Sequence, residues 1–202
     1  LFYWRKDVFQ KCGIQKPETL EQLPDVAAKI KACDSSITPW AARGLRGTVG
    51  YSLGAFIYNM GGGFTDASGK ASLCEPGTVK GIQLYGDMLR EYGPPGATNH
   101  TFTQVMDLVG QGRVAMTNES SNEFPTLMSH QGRSADIGVG VLPKGGETGI
   151  SKPVVLNWSL AISGYSGRSE AAWYFIQWAT GKEIQAVLAD KGIAPSRASV
   201  FD

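Results

Sequence analysis

With 202 residues, 42% hydrophobic and 18% charged, the chain has the composition of an ordinary folded protein, long enough for one sizeable core or two small ones and unlike a disordered tail. Nineteen basic residues stand against 18 acidic ones, a formal charge of +1 with no block of like sign, so no electrostatic footprint for nucleic acid or an anionic membrane can be read. The longest apolar-leaning run, VVLNWSLAI, is broken by Asn157 and Ser159 and falls short of the roughly 18 apolar residues a membrane-spanning helix needs.

The chain opens on LFYWRKD, with neither an initiator methionine nor a charged-then-apolar leader. That is expected of a chain whose signal peptide was removed or whose first part was cut away. KPETLEQLPDVAAKIKAC predicts a helix in which Thr19 caps the amide of Gln22 and Gln22 answers, with Leu20, Leu23, Val26, Ala27 and Ile30 on one face. Pro24 is tolerated there because it falls early. Residues 49–60 place Val49, Leu53, Phe56, Ile57 and Met60 on a helical stripe, and GGGFTDASGKASL reads as a loop and hairpin. TVKGIQLYGDMLREYG predicts a helix burying Val79, Ile82, Tyr85, Leu89 and Tyr92, stopped by Gly93 and the prolines after it.

TFTQVMDLVGQG is a short helix running into a strand, RVAMT, and the same handover recurs from SSNEFPTLMSHQG into ADIGVGVLP. KPVVLNWSLAIS predicts a longer strand feeding the helix RSEAAWYFIQWAT. Strands alternating with helices mean an α/β architecture with a mixed or largely parallel sheet. Cys12, Cys33 and Cys74 are too few and too scattered for a disulfide scaffold or a zinc site. Cys12 and Cys33 flank one predicted helix, which allows one disulfide and one free thiol without requiring it.

GYSLG, residues 50–54, fits the G-x-S-x-G pattern of hydrolases, but that chemistry needs a strand leading into a sharp turn that exposes the serine. The preceding AARGLRGTV is no apolar strand, the helical stripe runs through the motif, and the histidines, His100 and His130, stand beside no recognisable acid. Ser52 therefore reads as a helix residue. GGGFTDASGKAS lacks a phosphate loop's glycine at Phe64 and its hydroxyl at Ala71, so a hairpin is expected instead. Glu119 and Glu123, four apart, read as solvated charges at a helix start rather than a glycosidase pair. No His-x-x-x-His or Cys-x-x-Cys pair signals a metal.

Aromatic rings cover the apolar faces of sugars while polar neighbours bind hydroxyls. Trp158, between Asn157 and Ser159, has that mixed setting, although alternation puts Leu156, Trp158, Leu160 and Ile162 on one strand face suited to core packing. Packing is the stronger expectation for Trp173, Phe175, Ile176 and Trp178 of the following helix.

The ordered set LFYWRKDVFQKCGIQKPETLEQLPDVAAKI, GGGFTDASGKAS, GRVAMTNESS, SKPVVLNWSLAIS and EAAWYFIQWATGKEIQAVLADKGIAPSRASV resembles family 1 extracellular solute-binding proteins over nearly the whole chain. The resemblance implies a periplasmic-binding-protein-like (type II) α/β clamp, here truncated. Residues 1–158 would form mainly its second lobe and residues 159–202 a helical segment of the first. It also implies a sugar or sugar alcohol held between lobes and delivered to the permease subunits of an ABC importer, in the periplasm or lipid-anchored outside the cell. GPPGATNHTF resembles the branch serving sugars and sugar alcohols.

On the same resemblance Tyr51 matches the aromatic that contacts sugar ahead of the Gly-Gly pair, and Asn118, Glu119 and Asn122 match cleft polar positions. Asn157 and Trp158 stand where relatives carry Gly-Trp. Arg43 is placed either on a ligand or on a helix end, and Arg197 is equally open. No catalytic residue, cofactor or membrane insertion is implied. The expected act is binding, in which hinge closure lets both lobes touch the ligand. The alternatives are the same fold binding a glycerophosphodiester or organic anion, and a serine hydrolase using Ser52.

Overall fold

The computed structural model describes residues 1–129 and 136–201, and the chain divides into two units, Leu1–Val154 and Val155–Asp202. In the first unit, strand β1 (Phe2–Arg5) leads into helix α1 (Lys6–Lys11), then α2 (Leu23–Cys33), β2 (Thr38–Ala41), α3 (Val49–Asn59), α4 (Pro76–Tyr92) and α5 (Phe102–Gly110). Strand β3 (Val114–Asn118), α6 (Phe124–Ser129) and β4 (Ile137–Gly140) complete it; the second unit holds α7 (Ser169–Ala179) and α8 (Lys182–Asp190).

The strands form one mixed sheet in the order β2-β3-β1-β4. β2 and β3 run parallel, with Trp40 opposite Met116 and Ala41 opposite Thr117. A parallel pair needs a long crossover, here supplied by α3, α4 and α5. β1 lies antiparallel to both neighbours, with Phe2 opposite Asn118 and Tyr3 opposite Val139. The expected α/β class with a mixed sheet is therefore what forms.

Successive strand residues point to opposite faces, and both faces are covered. Phe2, Trp40 and Met116 pack with Leu23 and Ile30 of α2, Phe56 of α3 and Tyr85 and Met88 of α4. Tyr3 and Ala41 pack with Val105, Met106 and Val109 of α5 and Leu127 of α6. Edge-on ring contacts run from Trp40 to Phe56 at 6.1 Å and from Phe56 to Tyr85 at 5.1 Å, tying sheet, α3 and α4 together.

The Thr19/Gln22 capping box forms, opening a short 3-10 turn that passes into α2 with Pro24 in its first turn. A second box, Thr101 with Gln104, opens α5. Cys12 and Cys33 form a disulfide, leaving Cys74 free and exposed. The 65–71 hairpin is a turn closed by a single bridge between Thr65 and Ala71, with the Asp66 carboxylate accepting from the amides of Ser68 and Lys70.

Several expectations change. On α4, Tyr85 is buried as expected, but Val79 and Ile82 are exposed, while Thr78, Gly81 and Met88 go inward. The reason is close helix packing: a Cβ on Gly81 would lie 2.7 Å from the Cα of Ile57, so the contact face centres on the glycine rather than on the branched residues. The strand expected from KPVVLNWSLAIS does not form. Its start is instead tied to a side chain, the Lys152 amide donating to Asn59 Oδ1 at 2.7 Å.

In the second unit, Gln185 is buried, donating to the Ala179 carbonyl and accepting from the Ser196 amide. Arg197 donates to the Thr180 carbonyl just past α7, the helix-end role left open for it. Trp173, Phe175 and Trp178 were expected to pack, yet all three are exposed, as are Leu156 and Leu160; this small unit does not cover that side of α7. Among the described residues no helix is long and apolar enough to cross a membrane.

Candidate functional site

Parallel strands in α/β sheets present their carboxyl ends as the usual place for a ligand. Arg43 follows β2 by two residues, and Asn118 and Glu119 end and follow β3, so the register of the parallel pair sets them side by side. Arg43 and Glu119 form a two-pronged ion pair, Nε to Oε1 at 2.6 Å, with both side chains all but inaccessible to solvent. The Ser120 amide donates to Glu119 Oε2 at 3.0 Å. Burial disfavours the charge on Arg43, but the hydrogen bond and charge of Glu119 more than offset this and raise its pKa.

Two aromatic rings flank the guanidinium. Its carbon lies 5.2 Å from the ring centre of Phe102 and 5.5 Å from that of Tyr51, within the range of a cation–π contact. Tyr51 sits in the first turn of α3 and Phe102 at the start of α5; about two-fifths of each remains exposed. The backbone that carries them is locked. Tyr85 donates its hydroxyl to the Arg43 carbonyl at 2.6 Å. The amides of Gly44 and Leu45 donate to the His100 carbonyl at 3.0 and 3.1 Å, and a Cβ on Gly44 would lie 2.1 Å from the Ala97 oxygen. Only glycine permits that approach of the two turns.

Asn118 is buried, its Nδ2 donating to the Ser52 carbonyl at 3.2 Å and its Oδ1 left without a hydrogen-bond partner. Asn122 is exposed in a short 3-10 turn, its amide donating to Ser120 Oγ. Glu123 ends that turn with a raised pKa, first because burial disfavours its carboxylate and then because Glu119 repels it, Arg43 acting in the opposite sense. Glu119 is therefore not the solvated helix-start charge expected from its spacing to Glu123. Asn157 and Trp158 belong to the second unit and are both exposed, Trp158 at 81%.

Ser52 lies within α3, buried, on no exposed elbow, which overturns the hydrolase alternative. Phe102 and Tyr85 were not singled out as site residues from the sequence. Phe102 does end the GPPGATNHTF motif, and that was the available signal. Two surface hollows of about 530 and 430 Å3 are lined by residues around α2 and the end of α4, and by none of these side chains. Among the described residues no cluster of three or more His, Cys, Asp or Glu could hold a metal ion.

The family model for the bacterial extracellular solute-binding proteins matches residues 1–186. The chain belongs to the bacterial extracellular solute-binding proteins. Among its relatives in that family, the mannitol-binding protein of Pseudomonas aeruginosa is 28% identical over 95% of this chain and 45% of its own length. A solute-binding protein from Agrobacterium radiobacter, solved in complex with ribitol, shares 28% identity over 95% of this chain and 49% of that one, with a TM-score of 0.83. One from Agrobacterium vitis, solved with bound D-mannitol, shares 27% over 99% and 50%, with a TM-score of 0.81. This solute-binding chain thus spans about half the length of the relatives it matches, and it has the fold of the corresponding half of a periplasmic-binding-protein clamp. Members of the family are transport components rather than enzymes.

Proposed function

We propose that the protein binds a small sugar or sugar alcohol and delivers it to the permease of an ABC importer. The observation that carries this reading is the half-exposed Tyr51 ring at the carboxyl ends of the parallel β2 and β3, beside the buried amide of Asn118. An aromatic face suits the C–H surface of a polyol, and fixed polar groups beside it suit the hydroxyls. The mannitol and ribitol named for the relatives point the same way.

In this reading residues 1–158 are mainly the second lobe of the clamp and residues 159–202 a helical part of the first. The apolar side of α7, with Trp173, Phe175 and Trp178, is then covered by the remainder of the first lobe in the whole protein. Tyr51, Asn118 and Asn122 meet the ligand from this lobe, and Arg43 and Glu119 hold the aromatic rings in place. The Cys12–Cys33 disulfide suits an oxidising compartment such as the periplasm or the cell exterior.

Titration calorimetry of the full-length protein with D-mannitol, ribitol and maltose tests the reading. At least one is expected to bind, and Tyr51→Ala to weaken it roughly tenfold, the size of an aromatic contact worth ~1–1.5 kcal/mol. Absence of heat with every sugar and polyol would sink it.

A further inference from the structure

Arg43 is the cation that an anionic ligand would need at this face, yet its Nε and Nη2 already donate to Glu119, whose charge offsets its own, and two rings flank it. We propose that Glu119 is a built-in counter-anion that takes Arg43 out of play, so that the face carried by Tyr51 and Phe102 accepts uncharged polyhydroxylated molecules and turns away their carboxylate or phosphate analogues. The inference rests on the carbohydrate reading and narrows it.

The charge balance at the face supports it. The side chains whose charges act on one another here are Arg43, Glu119 and Glu123, one positive against two negative. A ligand carboxylate arriving beside the rings would meet two like charges and a guanidinium whose own charge is already offset by Glu119. It cannot displace Glu119 cheaply, because that carboxylate is buried and also holds the Ser120 amide. A carboxylate or phosphate in its place would have to shed its own water and reproduce three hydrogen bonds. A neutral polyol meets none of these costs. Its carbons lie over rings whose positions are fixed by the paired guanidinium behind them, and its hydroxyls find polar groups nearby. The specificity arises from an element that repels the wrong ligand, not only from contacts that favour the right one. Glu119 and Phe102 become specificity-determining and positioning residues.

The test pairs ligands of equal carbon number: D-mannitol with D-gluconate, and ribitol with D-ribonate, titrated into the full-length protein. The wild-type protein is expected to bind a neutral member at least tenfold more tightly than its anion. Glu119→Gln is expected to narrow that ratio at least tenfold, through gained affinity for the anion, with its circular dichroism unchanged. Phe102→Ala, at a half-exposed position, is expected to weaken the neutral ligand at least fivefold while leaving the melting temperature close to wild type. Equal wild-type affinity for a matched pair overturns the inference even if Glu119→Gln fails to fold. So does a folded Glu119→Gln that keeps the wild-type ratio, or a Phe102→Ala that binds as wild type does. Either of the last two outcomes leaves the polyol reading standing, whereas a wild-type protein that binds no polyol at all removes both.

Discussion

The hydroxyl of Tyr85 donates to the carbonyl of Arg43 at 2.6 Å, and both groups are buried. The phenol stands at the end of the edge-on ring series from Trp40 through Phe56, so the packing of the sheet against α3 and α4 is passed to the backbone that carries the candidate site. Removing the hydroxyl leaves a buried carbonyl without its partner, which costs about 1–2 kcal/mol. Tyr85→Phe is expected to destabilise the fold by that amount, lowering the melting temperature, and to weaken the ligand as well, since the Arg43 turn loses its anchor. Thermal denaturation and calorimetry on the same variant check both parts.

Gly81 gives a sharper result. A methyl group there meets the Cα of Ile57 at 2.7 Å, and backbone cannot rotate out of the way as a side-chain end can. Although alanine favours helix over glycine by about 1 kcal/mol, Gly81→Ala is expected to destabilise the fold by about 1–3 kcal/mol, the usual range for overpacking. Chemical denaturation reads the difference. Gly86, on the same helix with nothing within 4 Å of its Cβ position, is the control, and Gly86→Ala is expected to be neutral or stabilising.

The Cys12–Cys33 bond closes 21 positions of chain, a loop for which restriction of the unfolded state contributes about 3 kcal/mol. A reductant, or Cys12→Ser with Cys33→Ser, is expected to lower the melting temperature accordingly. Under native conditions a thiol reagent is expected to label one cysteine per chain, Cys74, because it is exposed and unpaired.

Beside that bond, Lys11 donates to the Asp34 carboxylate at 2.8 Å, and Ser36 adds its hydroxyl and amide. The hydrogen bond from Lys11, followed by those from Ser36, holds the Asp34 pKa down to about 2 from 3.8. Since the folded value is the lower one, the unfolded chain binds more protons between those two values. The stabilisation is present above about pH 4 and fades as the pH falls through about 2. Asp34→Asn is expected to melt below wild type at neutral pH, with the gap closing on acidification across that window. A gap that widens there instead would show that the carboxylate is not the stabilising form.

Local chemistry was legible in the sequence wherever it is written in consecutive residues. The Thr19/Gln22 box, the helical stripe through Ser52 and the strand at residues 114–118 all follow from neighbours within a turn or two. Legibility failed where backbone proximity decides. The inward face of α4 is set by the absence of a side chain at Gly81 and by Thr78, which is buried because its hydroxyl exchanges hydrogen bonds with Gly63. A hydrophobic pattern weighs neither. Arg43 and Glu119 stand 76 positions apart, so each could be noted as a polar candidate while their mutual neutralisation could not. The strand expected from KPVVLNWSLAIS shows the reverse limit: β-favouring residues make extended backbone, but a ladder also requires a partner at hand.

The place of β1 in the sheet sets a condition on how the protein can fold. Phe2 pairs with Asn118 on one side and with Gly140 on the other, so the second residue of the chain waits for partners more than a hundred positions downstream. Local helices can form and dissolve in the meantime, but the sheet interior cannot close until both late strands have been made. Closure entropy over such separations must be met before the contacts return anything. Acquisition of the native sheet is therefore expected to be a slow and concerted event that waits for residues 137–140 to be made.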